Sequence, residues 1–422
     1  MCKPWYTIQN KMKDFSSVFI ATFSHYQGEK RLPRNGMVEQ LLSFFLPKAK
    51  YIFLLDQPHV ISDVTNPVIE EYVNGKLIKR SHFSSFLYLP IYFFCKLPSK
   101  EKTRISYKLR DFVSVIVMGI FRSKRYDIFI GLEAINALAG ICLKKVGKVK
   151  TVIYYVSDYS PSRFGKTWFN GLYVWLDRFC VRQADFVWDV SAAMKFGRKE
   201  AGIDEESMRH VVHVPNGLFP SQIASLPIAK RKKNSLVYLG TLDENFGVSL
   251  AIESVREIRK KIPDITLHII GGGNNITNLK KQVKKLHLEQ NVTFYGYVPD
   301  NKEMAKIVRG CVIGIAPYRQ GPKDARWYGW YGDAGKIRQY LASGLPVVTT
   351  YVPPLGRYVA QKGAALMTKD NVADFSAGIV KLLTKKALYS KMVKKAQLLS
   401  KENTWENSYA NAFLAMDKVI NN

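Results

Sequence analysis

The sequence predicts an α/β protein with two doubly wound, Rossmann-like domains that face a central cleft. The chain has 422 residues, more than a single ordinary hydrophobic core organises. Hydrophobic residues make up 47% of it, which excludes a disordered or fibrous protein. Short apolar runs alternate with longer segments of helical periodicity, the pattern of βα units built on a parallel sheet.

The apolar runs identify the predicted strands. In the first half they lie at residues 17–23, 51–55, 127–131, 151–156, 185–190 and 211–214. In the second half they lie at 236–240, 265–270, 292–295, 312–316 and 346–349. Ligands of such sheets collect at the carboxyl ends of the strands, so we expect the site in the cleft between the two halves.

The segment between these two sets of strands marks the predicted domain boundary. Residues 218–234 contain Pro220, Pro227 and the basic run 230–233, and no strand or amphipathic helix is readable there. We therefore expect a first domain at 1–218, a linker at 219–234 and a second domain at 235–422. A C-terminal helix at about 404–420 could pack back on the first domain.

Charge and cysteine content limit the partners and the compartment. Sixty-three Lys and Arg against 34 Asp and Glu leave a net charge of +29, which attracts nucleic acid, an anionic membrane surface or phosphorylated substrates. The five cysteines show no metal-ligand or disulfide spacing, so we expect a cytosolic protein with reduced thiols. Residues 1–16 lack a signal-peptide pattern, and no metal or cofactor motif is found.

The densest local pattern is YGDAGKIRQYLASGLPVVTT at residues 331–350. A glycine-flanked turn precedes a helix, and backbone N–H groups at a helix start favour phosphate. The residues of that turn are Gly332, Asp333, Ala334 and Gly335. Lys336 follows in the first helical turn and could add a charged contact. An ordinary helix cap with a solvated Lys336 is an equal alternative.

With further landmarks, this pattern resembles the retaining glycosyltransferases of group 1 (family 4), which have the GT-B architecture. The landmarks are VPNG at 214–217, YLG at 238–240, IIGGG at 269–273, FYGYV at 294–298 and the segment 336–350. They cover the second half well and the first half loosely. The resemblance implies a nucleotide diphosphate-sugar donor that binds mainly to the second domain.

The resemblance also assigns donor-side residues. It implies that Gly240 and Thr241 lie beneath the diphosphate, that Gly272 and Gly273 face the donor, and that Val298 and Pro299 meet the nucleobase. The alternative for each glycine taken singly is that it serves only the geometry of a turn.

Four positions depart from the family pattern. Two family glutamates fall at Tyr331 and Gln339; Gln339 can still bond a ribose, and Asp333 becomes the candidate for holding sugar hydroxyls. Two family cations fall at Thr241 and Phe246, so Lys336, or else Arg338, would have to compensate.

The first half is expected to hold the acceptor. His25, Gln27 and Gly28 follow the first predicted strand, before a helix expected near Gly36. Asp158 and Glu133 follow two other strands and are the catalytic candidates together with Asp333. A surface histidine and a turn-forming Asp158 are the plain alternatives.

The expected activity is sugar transfer, with retention of anomeric configuration, to a glycan, a lipid-linked acceptor or a small acceptor. In such enzymes the departing phosphate is thought to take the proton, so cations and N–H donors matter more than a strong base. Cell-surface polysaccharide or glycolipid synthesis is the expected role. The alternatives are another GT-B enzyme such as an epimerase, a non-catalytic sugar-nucleotide binder and, least expected, a nucleic-acid-binding protein.

The basic surplus predicts a cytoplasmic protein, peripheral on the inner face of the plasma membrane. Basic segments at 76–80, 96–110, 122–125 and 144–150 flank two apolar runs, FLYLPIYFF at 86–94 and FVSVIVMGIF at 112–121. Cations that border apolar residues suit an interface with anionic lipid. Buried helices with solvated basic ends are the alternative.

Overall fold

The computed structural model describes residues 15–32, 37–83, 100–321 and 327–420, and these residues form two β-sheets. The strands of the first sheet are β1 (Phe15–Gln27), β2 (Lys30–Leu32), β3 (Ala49–Pro58), β4 (Val68–Val73), β5 (Lys76–His82), β6 (Tyr126–Leu132), β7 (Val149–Val156), β8 (Phe186–Asp189) and β9 (Val211–His213). Their order is β5-β4-β3-β1-β6-β7-β8-β9, and β2 pairs with β1. Strands β3, β1 and β6 to β9 are parallel, whereas the pairs β1–β2, β3–β4 and β4–β5 are antiparallel.

The second sheet is parallel throughout. Its strands are β10 (Ser235–Leu239), β11 (Thr266–Ile270), β12 (Val292–Gly296), β13 (Ile313–Ala316), β14 (Val347–Thr350) and β15 (Ala365–Thr368), in the order β12-β11-β10-β13-β14-β15. Every strand expected from the sequence is present, and the predicted α/β class is confirmed. Strands β2, β4, β5 and β15 were not predicted.

Helices lie between the strands of both sheets. Those of the first half are α1 (Val38–Phe45), α2 (Lys100–Phe121), α3 (Glu133–Lys145), α4 (Trp168–Gln183) and α5 (Met194–Glu200). Those of the second half are α6 (Val248–Arg259), α7 (Ile276–Lys285), α8 (Asn301–Gly310), α9 (Gly335–Ala342), α10 (Pro354–Gln361), α11 (Val372–Thr384), α12 (Lys386–Glu402) and α13 (Trp405–Ile420). The segment 219–234 contains two 3₁₀ turns, Pro220–Gln222 and Ile228–Lys230; the domain division drawn there stays a prediction.

The last helix, α13, belongs to the core of the first sheet although it ends the chain. Tyr409 stacks on Trp188 of β8 with ring centroids 5.7 Å apart, and Phe413 meets the same indole edge to face at 5.4 Å. Trp405 and Met416 are buried in the same cluster. Large aromatic side chains packed in this way supply much of a core's stability.

Of the two apolar runs considered for membrane contact, one lies in a described helix and the other lies outside the described residues. The run 112–121 lies in α2, where Val115 is buried in the core and Gly119 faces Leu143 of α3. That face of α2 is therefore occupied by protein. The run 86–94 and Gly36 lie outside the described residues. In the part of the chain that is described, no helix is long and apolar enough to cross a membrane.

Candidate functional site

Two glycine turns meet at the carboxyl edge of the second sheet. Gly240 ends β10 with φ 129°, and Gly271 ends β11 with φ 140°, values that disfavour other residues. A Cβ atom added to Gly271 would lie 1.9 Å from the carbonyl oxygen of Gly240, so the two turns touch through their backbones. Leu242 N–H donates to the carbonyl of Gly272, which fixes Thr241 and Gly273 in the same pair of turns. The predicted donor-side glycines are thus brought together.

Lys336 points at this pair of turns from the first turn of α9. Its Nζ atom donates to the Tyr238 hydroxyl at 2.8 Å and lies 4.1 Å from the centroid of that ring. The rings of Phe246 and Tyr318 are each 4.8 Å from the same atom. Burial lowers the pKa of Lys336 well below its usual value, because desolvation disfavours the ammonium form. The alternative of a solvated lysine is therefore wrong.

Phe246 occupies the position where the resemblance expects a cation. The ammonium group of Lys336 lies over its ring, so α9 delivers a positive charge to the place that the loop residue leaves apolar. A Cβ atom on Gly240 would come within 3.2 Å of Lys336 Cε. A side chain at position 240 would therefore crowd Lys336, and a glycine there leaves room for it.

Asp333 does not have the surroundings expected of a sugar-binding carboxylate. Its Oδ2 accepts hydrogen bonds from Arg338 Nε at 3.0 Å and from the backbone N–H of Asn216 at 3.1 Å. Its Oδ1 accepts from Arg338 Nη2 at 3.2 Å, and both side chains are almost fully buried. Asp333 and Arg338 thus neutralise each other in this structure, and the sugar-binding role of Asp333 and a compensating role of Arg338 stay predictions.

The turn before α9 also differs from the expected anion cradle. The N–H of Gly332 donates to the Tyr328 carbonyl, and that of Gly335 donates to the Asp333 carbonyl. Ala334 is packed in the second core. At this end of α9, Lys336 stays the main predicted contact of an anion, since these N–H groups already have backbone partners.

Tyr331 and Gln339, the two positions of the family glutamates, have separate roles. The Tyr331 hydroxyl donates to the Glu200 carboxylate of α5, and its ring lies 3.0 Å from where a Cβ of Gly197 would stand. Tyr331 therefore joins the second half of the chain to the first. Gln339 lies on α9 three residues after Lys336 and is half-buried.

The loop predicted to meet a nucleobase follows β12. Gly296 ends the strand with φ 68°, and Asp300 caps α8 by accepting from the Lys302 N–H at 2.7 Å. Val298 packs on the core and Pro299 is exposed.

On the first sheet, Glu133 and Asp158 form part of one cluster with Ser157 and Arg163, called the acceptor-side cluster below. Glu133 Oε1 accepts from Ser157 Oγ at 2.6 Å, and Arg163 Nη2 lies 3.3 Å from Asp158 Oδ2. Burial raises the pKa of Asp158, Arg163 lowers it and Glu133 raises it further. The two predicted carboxylates are thus near neighbours.

Glu133 also has an unusual backbone. Its φ is +67°, the left-handed region that a non-glycine residue enters at a cost. Strain of this kind persists where the surroundings hold it, and it clusters at functional sites.

Aromatic residues that the sequence reasoning missed line the gap between the two halves. Tyr328 interacts electrostatically with Asp158 and Arg163 of the acceptor-side cluster, and burial raises its pKa to about 12. Its ring centroid lies 6.0 Å from that of Phe246, and Trp327 stacks on Tyr318 at 5.7 Å. Aromatic rings therefore connect the Lys336 site to the carboxylates. The run WYGWY at 327–331 was the available signal.

His25, Gln27 and Gly28 lie in a hairpin instead of the expected loop. His25 pairs with Leu32 across β1 and β2, and Gln27 pairs with Lys30. Gly28 turns the chain at φ 56° and donates its N–H to both carboxylate oxygens of Asp63, at 2.9 and 2.8 Å. Their role toward an acceptor stays a prediction.

Comparison with known families identifies the second half of the chain. Residues 223–399 match the family model described as glycosyl transferases group 1. The second half of the chain therefore contains a group 1 glycosyltransferase domain. The matched range contains the glycine turns, Lys336 and the loop after β12.

Individual relatives of this chain are distant. An uncharacterised glycosyltransferase of Haemophilus influenzae is 24% identical over 190 residues, which is 44% of this chain and 49% of the relative. The chain thus spans about half the length of that curated relative. Among solved structures, sucrose-phosphate synthase from Thermosynechococcus elongatus has a TM-score of 0.67 at 14% identity, covering 96% of this chain and 99% of the other.

A second solved structure, HepE of Anabaena in complex with UDP, has a TM-score of 0.63 at 13% identity, covering 95% of this chain and 99% of HepE. These likenesses establish the GT-B fold. Within the described residues, no group of three or more His, Cys, Asp or Glu side chains is placed to hold a metal ion.

Proposed function

We propose that the protein transfers a sugar from a nucleotide diphosphate-sugar to a glycan, a lipid-linked acceptor or a small acceptor, with retention of configuration. The observation that carries the proposal is the buried ammonium of Lys336 against the paired turns of Gly240 and Gly271. A buried cation without an ionic partner among the described residues is stabilised by an arriving anion. The family match of residues 223–399 and the UDP bound by HepE support a diphosphate as that anion.

The residues divide into a leaving-group side and an acceptor side. Negative charge develops on the departing diphosphate, and Lys336 is placed to stabilise it. The leaving phosphate takes the acceptor's proton, so no strong protein base is required. Asp158 and Glu133 hold the acceptor hydroxyl groups, with Arg163 and Ser157 fixing their orientation.

The setting of this reaction is proposed to be cell-surface polysaccharide or glycolipid synthesis. The enzyme would then work in the cytoplasm, attached peripherally to the inner face of the plasma membrane. The net charge of +29 supports this setting, because the headgroups of an anionic leaflet attract cations.

The decisive experiment measures donor binding and turnover in the same preparation. Thermal-shift and calorimetric titrations with UDP-, GDP-, ADP- and dTDP-sugars should identify one base, since a ligand at 100 times its Kd stabilises by about 2.7 kcal/mol. Lys336→Met should lose this binding, whereas Lys391→Met, at an exposed lysine of α12, should retain it. Stabilisation by none of the four donors would refute the proposal.

Product analysis separates the remaining alternatives. Transfer to an acceptor with the donor's anomeric configuration supports the proposal. An isomerised donor without transfer indicates an epimerase, and tight binding without turnover on any acceptor class indicates a non-catalytic binder.

A further inference from the structure

Helix α4 carries an apolar face that the rest of the fold leaves exposed. Trp168, Leu172 and Trp175 are spaced four and three residues apart and therefore share one side of the helix. Their exposed fractions are 65%, 45% and 57%. We call these three residues the α4 stripe. Two exposed tryptophans and a leucine on one helix face are uncommon on a surface that contacts only water.

A lysine precedes the stripe, and α4 itself exposes no carboxylate beside it. Asp177, the only carboxylate of α4, is fully buried in an ion pair with Arg198. Lys166 is exposed just before the helix, and Arg182, about half exposed near its end, lies 3.1 Å from the carboxylate of Asp204. A helix face of this kind, with tryptophan and leucine beside cations, fits the interface of an anionic bilayer.

A continuous set of ring contacts leads from the stripe to the acceptor-side cluster. Trp168 contacts Phe169 at 5.8 Å between ring centroids, and Phe169 contacts Phe164 at 4.8 Å. Phe164 then meets Tyr173 at 5.4 Å, and Arg163 lies 5.9 Å from the centroid of each of these last two rings. The stripe therefore adjoins the place where the acceptor is proposed to bind.

We infer that the α4 stripe is the surface that docks on an anionic lipid bilayer, with both tryptophans in the headgroup region. This inference rests on the membrane attachment proposed above and gives it a location. Docking here would place the acceptor-side cluster beside the bilayer, so that a lipid-linked acceptor reaches Asp158 while its lipid stays in the membrane. The run 112–121 offers a smaller surface, because Val115 lies in the core and Gly119 faces Leu143 of α3, which leaves Ile120 and Phe121 exposed at its end.

Co-sedimentation with vesicles tests the inference without any sugar substrate. The full-length protein should bind vesicles of phosphatidylglycerol and phosphatidylcholine in equal parts, and should bind pure phosphatidylcholine more weakly. Trp168→Ser/Trp175→Ser should weaken binding to the anionic vesicles by at least about tenfold, because each tryptophan loses its interfacial contact. Leu172→Glu should weaken binding as well, because it places a negative charge on the stripe. Agreement between the two stripe variants would show that the loss does not come from a folding defect in the double variant.

A matched control removes exposed apolar groups from another face. Ile228 and Leu398 are 43% and 55% exposed on the second half of the chain, so Ile228→Ser/Leu398→Ser should bind vesicles as the wild type does. Wild-type binding that survives both stripe variants would overturn the inference and leave the attachment proposal standing. Absence of wild-type binding would overturn both. Calorimetry with the nucleotide sugar on the same samples reports on donor binding separately, and product analysis reports on sugar transfer.

Discussion

The Nζ atom of Lys336 donates a hydrogen bond of 2.8 Å to the Tyr238 hydroxyl inside a ring of aromatic side chains. Among the described residues no carboxylate forms an ion pair with it, although a buried ammonium is costly without a counter-charge. The aromatic faces offset part of that cost through cation–π contacts. The diphosphate proposed to bind here would supply the counter-charge that the described residues do not.

Proton uptake on donor binding follows from this arrangement. Burial lowers the pKa of Lys336, so part of the free protein carries a neutral amine above the lowered pKa. A bound diphosphate favours the ammonium form and raises the pKa again, so a proton must be taken up. Calorimetry of nucleoside diphosphate binding in buffers of different ionisation enthalpy should show uptake that grows as pH rises from the lowered pKa toward the usual lysine value.

Two variants make this result specific to Lys336. Lys336→Met should abolish the uptake and weaken binding by roughly 2 kcal/mol or more, as expected for a lost charge-assisted contact. Lys391→Met should change neither quantity. Uptake of the same size in Lys336→Met would assign the proton to another group and contradict the placement of the diphosphate.

The strained backbone at Glu133 predicts a reversal of the usual glycine effect. Both Glu133→Ala and Glu133→Gly remove the hydrogen bond with Ser157, so the two variants differ only in backbone preference. At φ +67° the glycine variant should be more stable than the alanine variant by about 1 kcal/mol, whereas at an ordinary helical position alanine is the more stable. Chemical denaturation measures the difference. Greater stability of the alanine variant would mean that the residue is not held in the left-handed region.

The acceptor-side cluster predicts opposite pH shifts for two substitutions. Burial raises the pKa of Asp158, while Arg163 lowers it and Glu133 raises it. Activity that needs ionised Asp158 falls as pH drops through this pKa. Arg163→Met removes the lowering influence and should move the acid limb of kcat/KM to higher pH, whereas Glu133→Gln should move it to lower pH.

Asp158→Asn provides the reference profile for this experiment, since it should lack the limb altogether. Its binding of the nucleotide diphosphate should match the wild type, because Asp158 lies on the acceptor side. Shifts of the same sign in Arg163→Met and Glu133→Gln would rule out Asp158 as the titrating group.

The sequence predicts the parallel strands of this fold well and the antiparallel edge poorly. Buried parallel strands such as β6 read as continuous apolar runs. Strand β4 instead contains Glu70 and Glu71, which read as a polar segment. Arg31 lies 3.0 Å from Glu70, and Arg122 lies 2.9 Å from Glu71, and these cations come from distant parts of the chain. Pairing that neutralises buried carboxylates over such separations is not visible in a local pattern.

The residues of the site divide in the same way: some are predictable from local motifs, and others depend on contacts between distant parts of the chain. The glycines of the β10 and β11 turns and Lys336 follow from local motifs, because a turn or a helix start fixes their place. The hydrogen bonds of the Asp333 carboxylate do not follow from a local motif. One comes from Asn216, 117 residues away, and another comes from Arg338, one turn along α9. The aromatic lining by Tyr318 and Tyr328 also requires the tertiary fold.

Asp333 and Arg338 are expected to act on stability first and on donor binding second. The ion pair is almost fully buried, so Asp333→Ala leaves the Arg338 guanidinium without its counter-charge and should lower the free energy of unfolding by about 3–5 kcal/mol. Asp333→Ala/Arg338→Met removes both charges and should cost clearly less than the sum of the two single changes. Denaturation of the three variants measures the coupling, and calorimetry measures nucleotide affinity in whichever variants remain folded. If the double variant binds the nucleotide sugar as the wild type does, Asp333 serves to join α9 to Asn216. If its affinity for the nucleotide sugar falls while its affinity for the bare nucleotide and its free energy of unfolding do not, the carboxylate binds the sugar.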